Sequence, residues 1–189
     1  MSPIHADVLA RRDQLARVFR DAQPFRHVAI DGFLDPAFCR ALLDEFPRFE
    51  DRYALNETGA VGGKAVRMDV REISDTYRAL DRSIQAPEFL DLVSRITGIP
   101  DLLYDPDYIG GGTHENVQGQ GLDPHVDFNY HPGTRWHRRL NLIVYLNPEW
   151  QDAWGGSLEL HSDPRAPDDR VSLVTPLYNR CVIFETTET

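Results

Sequence analysis

Apolar residues in the first part of the chain recur at helical spacing. Across residues 6–22, Val8, Leu9, Leu15, Val18 and Phe19 alternate with Arg and Asp, which predicts one amphipathic helix. Phe25 to Ile30 predicts a short strand. Asp35 followed by Pro36 is a helix start, because the carboxylate can accept from first-turn N–H groups and the proline has no N–H to leave unpaired. Phe38, Leu42, Leu43 and Phe46 supply the buried stripe of that helix, and Pro47 stops it. Residues 50–75 are polar, with Gly59, Gly62 and Gly63, and read as a loop or lid rather than a second domain. A third helix is predicted from Pro87 to Ile96, closed by Gly98 and Pro100.

Beyond Leu102 the period changes. The runs LLYDPDYIGGG, GLDPHVDFN, RRLNLIVYLN, GGSLELHS, RVSLVTPL and NRCVIFET are short, β-rich and separated by Gly, Pro, Asn and Asp. Such spacing predicts an antiparallel sandwich or barrel, so the fold class is α+β, mainly β, with helices first. No repeat or low-complexity tract is visible.

Composition narrows this picture. A chain of 189 residues with 41% hydrophobic content can bury one sizeable core, and a single domain over 1–189 is expected. The formal charge of -10, from 20 basic and 30 acidic side chains, argues against nucleic acid as a partner, since a phosphate-binding groove needs a cationic face. The N-terminus MSPIHADVLARRDQ lacks the apolar core of a secretory signal, and no stretch approaches the roughly 20 apolar residues that span a bilayer. A cytoplasmic protein without a membrane partner is therefore expected. Cys39 and Cys181 have no CxxC partner and are expected to pack as small apolar residues.

His125 and Asp127 in LDPHVDF are the chemistry-bearing pair. Two apart on a strand, they project an imidazole and a carboxylate to one face. With a further histidine from a facing strand they would make the two-histidine, one-carboxylate arrangement that leaves three adjacent positions open on Fe(II). By itself the tripeptide also reads as an ordinary hydrogen-bonded pair at a strand edge. In RRLNLIVYLN, alternation places Leu140, Leu142, Val144 and Leu146 on an apolar core face and Arg139, Asn141, Ile143 and Tyr145 on the other. A bound polar ligand would satisfy the polar members of that second face. His131, His137 and His161 read as substrate-side or surface histidines. His131, six residues beyond His125, would be about 20 Å away on an extended strand.

The run HVDFNYHPGTRWHRRLNLIVYLNPEWQDAWGGSLEL, residues 125–160, resembles the core of the Fe(II)- and 2-oxoglutarate-dependent oxygenases of the prolyl-hydroxylase-like branch. NRCVIFETTE continues the likeness, and PFRHVAIDGFLDPAFCRALLDEFP carries it more loosely into the N-terminal half. The resemblance implies a distorted double-stranded β-helix, or jelly-roll, in 101–189, supported by helices and a lid from 1–100. It implies Fe(II), 2-oxoglutarate and O2 as cofactors, with metal at His125 and Asp127. Tyr145, Asn141 and Leu158 would contact 2-oxoglutarate. Asn129, His131 and Arg139 would face a small-molecule or amino-acid-like substrate, whose C–H bond is hydroxylated with release of succinate and CO2. Arg67 and Arg71 in candidate loops favour a polar or anionic substrate. Asp127 separates the chain from related halogenases, which lack this carboxylate. Trp150 and Trp154 would pack around the Gly155-Gly156 turn.

One departure matters. In the family the segment resembling VIFETTE leads within a few residues to the second metal histidine and to a basic residue for the distal carboxylate of 2-oxoglutarate. Here Thr189 is the last residue, so both are expected beyond it, and the metal would be held by His125 and Asp127 alone. A noncatalytic β-helix binding module is the alternative to a dioxygenase. A cupin-like zinc or manganese isomerase or hydrolase has only its architecture in favour.

Overall fold

The computed structural model describes residues 3–55 and 58–186. The predicted first helix is two: α1 (Ala6–Ala10) and α2 (Arg12–Asp21), broken at Arg11, whose φ and ψ of -96° and 6° lie outside the helical region. The break lets Val8 and the Leu15–Phe19 pair both reach the core. Strand β1 (His27–Asp31) follows, two residues later than its apolar run indicated. Helix α3 (Pro36–Asp44) starts as expected, with the Asp35 carboxylate accepting from the N–H groups of Ala37 and Phe38.

Residues 50–75 are not all loop. They contain β2 (Lys64–Arg67), which pairs antiparallel with β3 (Thr113–Asn116). A four-residue strand with a lysine and an arginine carries little period-two signal, and only its distant partner reveals it. Helix α4 (Asp75–Ile84), capped by Ser74 Oγ accepting from Tyr77 N–H, has no counterpart in the sequence reading. Helix α5 (Pro87–Thr97) ends at Gly98 in the left-handed conformation, φ 70°, as its sequence demands.

Four of the six β-rich runs contain strands, among them β4 (Leu140–Tyr145), β5 (Leu158–His161) and β7 (Arg180–Glu185). The run RVSLVTPL gives β6 (Val171–Val174). LLYDPDYIGGG is turns up to β3, and GLDPHVDFN forms no strand and has no ladder partner among the described residues. Pro124 has no N–H, and Gly119 and Gly121 precede it, so that stretch is poorly suited to a ladder.

The sheet order is β1-β7-β4, all antiparallel, so the N-terminal half contributes a strand to the C-terminal half. β5 and β6 form a separate antiparallel pair. The helices cover one face of the three-stranded sheet, with Phe19, Ile30, Phe33, Leu34, Leu42, Ile96 and Ile183 fully buried. Each such side chain contributes about 1.5–3 kcal/mol of burial. Leu140, Leu142, Val144 and Leu146 face this core, as alternation required. Ile143 and Tyr145 face the other way, against Leu158, Leu160, Val174 and Val182. Cys39 and Cys181 are both free and buried, and burial raises both thiols' pKa. Among the described residues no helix is long and apolar enough to cross a membrane.

Candidate metal centre

His125 and Asp127 converge without the support of a regular strand. The His125 Nδ1 sits 2.9 Å from the backbone carbonyl of Asp123, which places the ring proton there and leaves the Nε2 lone pair free. That Nε2 lies 3.7 Å from Oδ1 of Asp127. The other carboxylate oxygen is engaged: Asn141 Nδ2 donates to Oδ2 at 2.6 Å, and Arg138 Nη2 is 3.5 Å from it. One ion with bonds of about 2.0–2.2 Å, ordinary for imidazole and carboxylate ligands, can bridge two atoms at this separation. The donor set therefore fits a divalent cation: a neutral nitrogen, a carboxylate oxygen turned toward it, and a second oxygen fixed by an amide.

Arg138 was not singled out in the sequence, where Arg139 was. The strand begins only at Leu140, so Arg139 stands outside the regular pleat. Its guanidinium turns to Glu185, at 3.3 Å, where Arg26 also binds. Arg138 instead donates to Asn141 Oδ1 and lies over the Phe128 ring, 4.5 Å from its centroid. It is largely buried, which lowers its pKa, while Asp127 and Asp105 favour its charge. His114 on β3 is a second residue that the sequence reading passed over. Its Nε2 is 3.3 Å from Gly111 O, and its crowded surroundings, with Lys64 and Arg138 nearby, lower its pKa.

Tyr145 is enclosed in the second cluster, and burial pushes its phenol up to about 12. Leu158 lines the same cluster. Asn129 uses its carbonyl to accept from Arg138 N–H at 2.8 Å. Gly156, φ 71°, lies against Trp150, where an added Cβ would come within 2.9 Å of the indole. Trp150 and Trp154 meet edge to face around that turn, 5.7 Å between centroids.

The histidines part from expectation. His131 is 8% exposed rather than a surface residue. Its Nδ1 accepts from the N–H groups of Gly133 and Thr134, and its Nε2 points at Asp105 and Asp107, at 3.4 and 3.6 Å. These three residues bring ligand atoms within 4.8 Å of one another and could hold a metal. The ring's hydrogen bonds, however, put its proton on Nε2, so it meets the carboxylates as a donor, and a cation there would have to displace that proton. His137 stacks on Tyr130 at 5.1 Å, and His161 lies between Asp169 and Glu159. Arg67 pairs with Asp69, and Arg71 faces Asp81. Thr187, Glu188 and Thr189, where the family likeness leads toward the second metal histidine, lie outside the described residues.

Residues 112–189 match the family model of the 2OG-Fe(II) oxygenase superfamily. A prolyl hydroxylase from Trichoplax adhaerens, solved in complex with a hypoxia inducible factor oxygen degradation domain peptide fragment, is similar in fold, with a TM-score of 0.58 at 16% identity over 97% of this chain and 84% of that one. A prolyl 4-hydroxylase from Phytophthora capsici gives 0.62 at 16% identity over 98% of this chain, which spans 59% of that protein's length. Among curated proteins none matches in sequence.

Proposed function

We propose that the chain is the core of a 2-oxoglutarate-dependent dioxygenase that hydroxylates a C–H bond with Fe(II), 2-oxoglutarate and O2, a reading supported by the match of residues 112–189 to the family model of the 2OG-Fe(II) oxygenase superfamily. The observation that carries this is the approach of His125 Nε2 to Asp127 Oδ1 at 3.7 Å, with Nδ1 and Oδ2 each held by another group. The reading includes a distorted double-stranded β-helix over 101–189, with β4 and β7 on one side, β5 and β6 on the other, and residues 1–100 in support.

Iron held there would supply oxygen activation, with 2-oxoglutarate consumed to succinate and CO2. The chain's own residues do the positioning. His125 and Asp127 would hold the ion, and Asn141 keeps the Asp127 carboxylate from rotating. The Tyr145 hydroxyl, which has no hydrogen-bond partner among the described residues, is available to donate to a carboxylate of 2-oxoglutarate. Leu158 and Leu160 exclude water beside it. Arg138, with Asn129 and His114 close by, gives the substrate side a polar, cationic character suited to a small amino-acid-like molecule. A peptide is the other substrate class, since one fold neighbour was solved with a peptide fragment.

The test is Mn(II) or Fe(II) binding and succinate release. His125→Ala and Asp127→Ala are expected to abolish both while leaving the melting temperature within a few degrees, because both side chains are solvent-accessible and outside the core. Undiminished turnover in either variant would remove the assignment. Metal-independent retention of 2-oxoglutarate without succinate would favour a binding module instead.

A further inference from the structure

A chain of contacts runs from a buried carboxylate in the helical layer to the candidate metal ligands. Asp81, on α4 and 4% exposed, accepts from the hydroxyls of Tyr104 and Tyr108, the latter at 2.9 Å, and from Gln85 Nε2 at 3.1 Å. The two phenols thereby fasten the segment between α5 and β3 onto α4. Between them Asp105 caps its own loop, accepting from Asp107 N–H at 2.9 Å and Ile109 N–H at 2.8 Å. The far side of this loop meets the segment that carries the candidate metal ligands. An added Cβ at Gly110 would stand 3.0 Å from Phe128 and 3.4 Å from Arg138 Nη1, so backbone lies directly against both.

His131 joins the two parts. Its backbone N–H donates to Trp136 O, its Nδ1 closes the tip of the 129–138 hairpin, and its buried Nε2 has no hydrogen bond of good geometry, only the carboxylates of Asp105 and Asp107 in front of it. That hairpin carries Asn129 at one end, two residues after Asp127, and Arg138 at the other. A buried ring N–H needs an acceptor, and the Asp105 and Asp107 carboxylates, at 3.4 and 3.6 Å, are what the loop sets before it.

We propose that His131 and Asp105 are positioning residues, whose contact docks the 129–138 hairpin on the Asp81-anchored loop and so sets the placement of Asp127 and Arg138. This rests on the reading of His125 and Asp127 as metal ligands. The bridge is directional: Nε2–H toward the carboxylates does the docking, and Nδ1 only shapes the hairpin tip. Asparagine can imitate Nδ1 but cannot reach Asp105, whereas glutamine places its amide near the position of Nε2.

The experiment compares the full chain with its His131→Asn and His131→Gln variants by NMR, following the His125 ring and Arg138 Nε–H signals without metal and then with Mn(II). In the metal-free protein, His131→Asn should shift or broaden both signals and His131→Gln should restore them. Mn(II) should broaden the His125 ring in the parent chain, with affinity lowered about tenfold in His131→Asn, the range usual for groups that orient a ligand. Should His131→Asn not fold, Asp107→Ala, at an exposed side chain, should shift the same two signals to a smaller extent. Unchanged His125 and Arg138 signals in these variants would overturn the proposal, as would Mn(II) broadening centred on His131, which would make the cluster a cation site. Absence of Mn(II) broadening at His125 counts against the metal reading alone, because the metal-free spectra decide the positioning separately.

Discussion

Asp127 divides its two oxygens between tasks, one turned to His125 and one held by Asn141, and that division was only half legible in the sequence. The His-x-Asp spacing predicts the convergence of its two side chains from a strand's alternation, and the pair meets at 3.7 Å although 125–127 form no strand. Arg138 was not legible, because a shift of one residue in where β4 begins decides which of two adjacent arginines enters the site. For Tyr145 the alternation in β4 was sufficient, and a prediction follows. A phenol raised to about 12 by burial stays protonated at neutral pH and can only donate to a carboxylate. Removing that donor with Tyr145→Phe loses a charge-assisted hydrogen bond worth about 1.5–3 kcal/mol. Titration with 2-oxoglutarate should therefore show affinity weakened ten- to a hundredfold and maximal turnover changed much less. Equal affinity in the two proteins would assign the tyrosine to packing.

At the scale of elements, the β5–β6 pair shows what a hydrophobic pattern leaves out. LELH and VSLV announce two strands, but the connection between them is held by polar side chains. Asp169 accepts from Ser162 Oγ at 2.8 Å and from Asp163 N–H at 3.0 Å, and stands 2.6 Å from His161 Nδ1, while Glu159 is 3.2 Å from His161 Nε2. The hydrogen bond to Asp169 raises the His161 pKa, and the same bond with the Asp163 N–H holds Asp169 down to about 2. The signs define a window. The raised histidine contributes fully below the ordinary imidazole value of about 6.5 and is lost as pH climbs through its elevated value. The depressed carboxylate contributes above its ordinary value of about 3.9 and is lost as pH falls toward about 2. Amide-exchange protection across 159–171, corrected for intrinsic rates, should accordingly be highest in mild acid and decline on the alkaline side. His161→Gln should flatten the alkaline decline, and a decline that survives in that variant would assign it to another group.

Across the whole molecule, Asn179 ties the two halves together. It sits at φ 57° before β7, its Oδ1 accepts from Leu34 N–H at 2.9 Å, and its Nδ2 donates to Leu34 O at 2.8 Å. Its backbone N–H donates to Tyr145 O, and its carbonyl accepts from Phe33 N–H. Asn179→Ala would leave both Leu34 groups buried and unpaired and force a Cβ-bearing residue without a compensating side chain into the left-handed region. A loss of about 2–4 kcal/mol is expected, or about 5–15 °C in melting temperature for a chain of this size. Calorimetry decides it, and a change under 2 °C would mean that the halves are held chiefly by the β1–β7 ladder. The same residue marks the boundary between sequence and structure. Helix starts at Asp35-Pro36, the stop at Gly98, the two faces of β4 and the convergence of His125 with Asp127 depend on neighbours within a few positions, and the sequence by itself determined them. The β2–β3 pairing, the burial of His131 against Asp105 and the Asn179–Leu34 clasp join residues from 26 to 145 positions apart, and the choice of Arg138 over Arg139 turns on where β4 begins to pair with β7. Such contacts depend on which surfaces the folded chain brings together, and only the tertiary structure decided them.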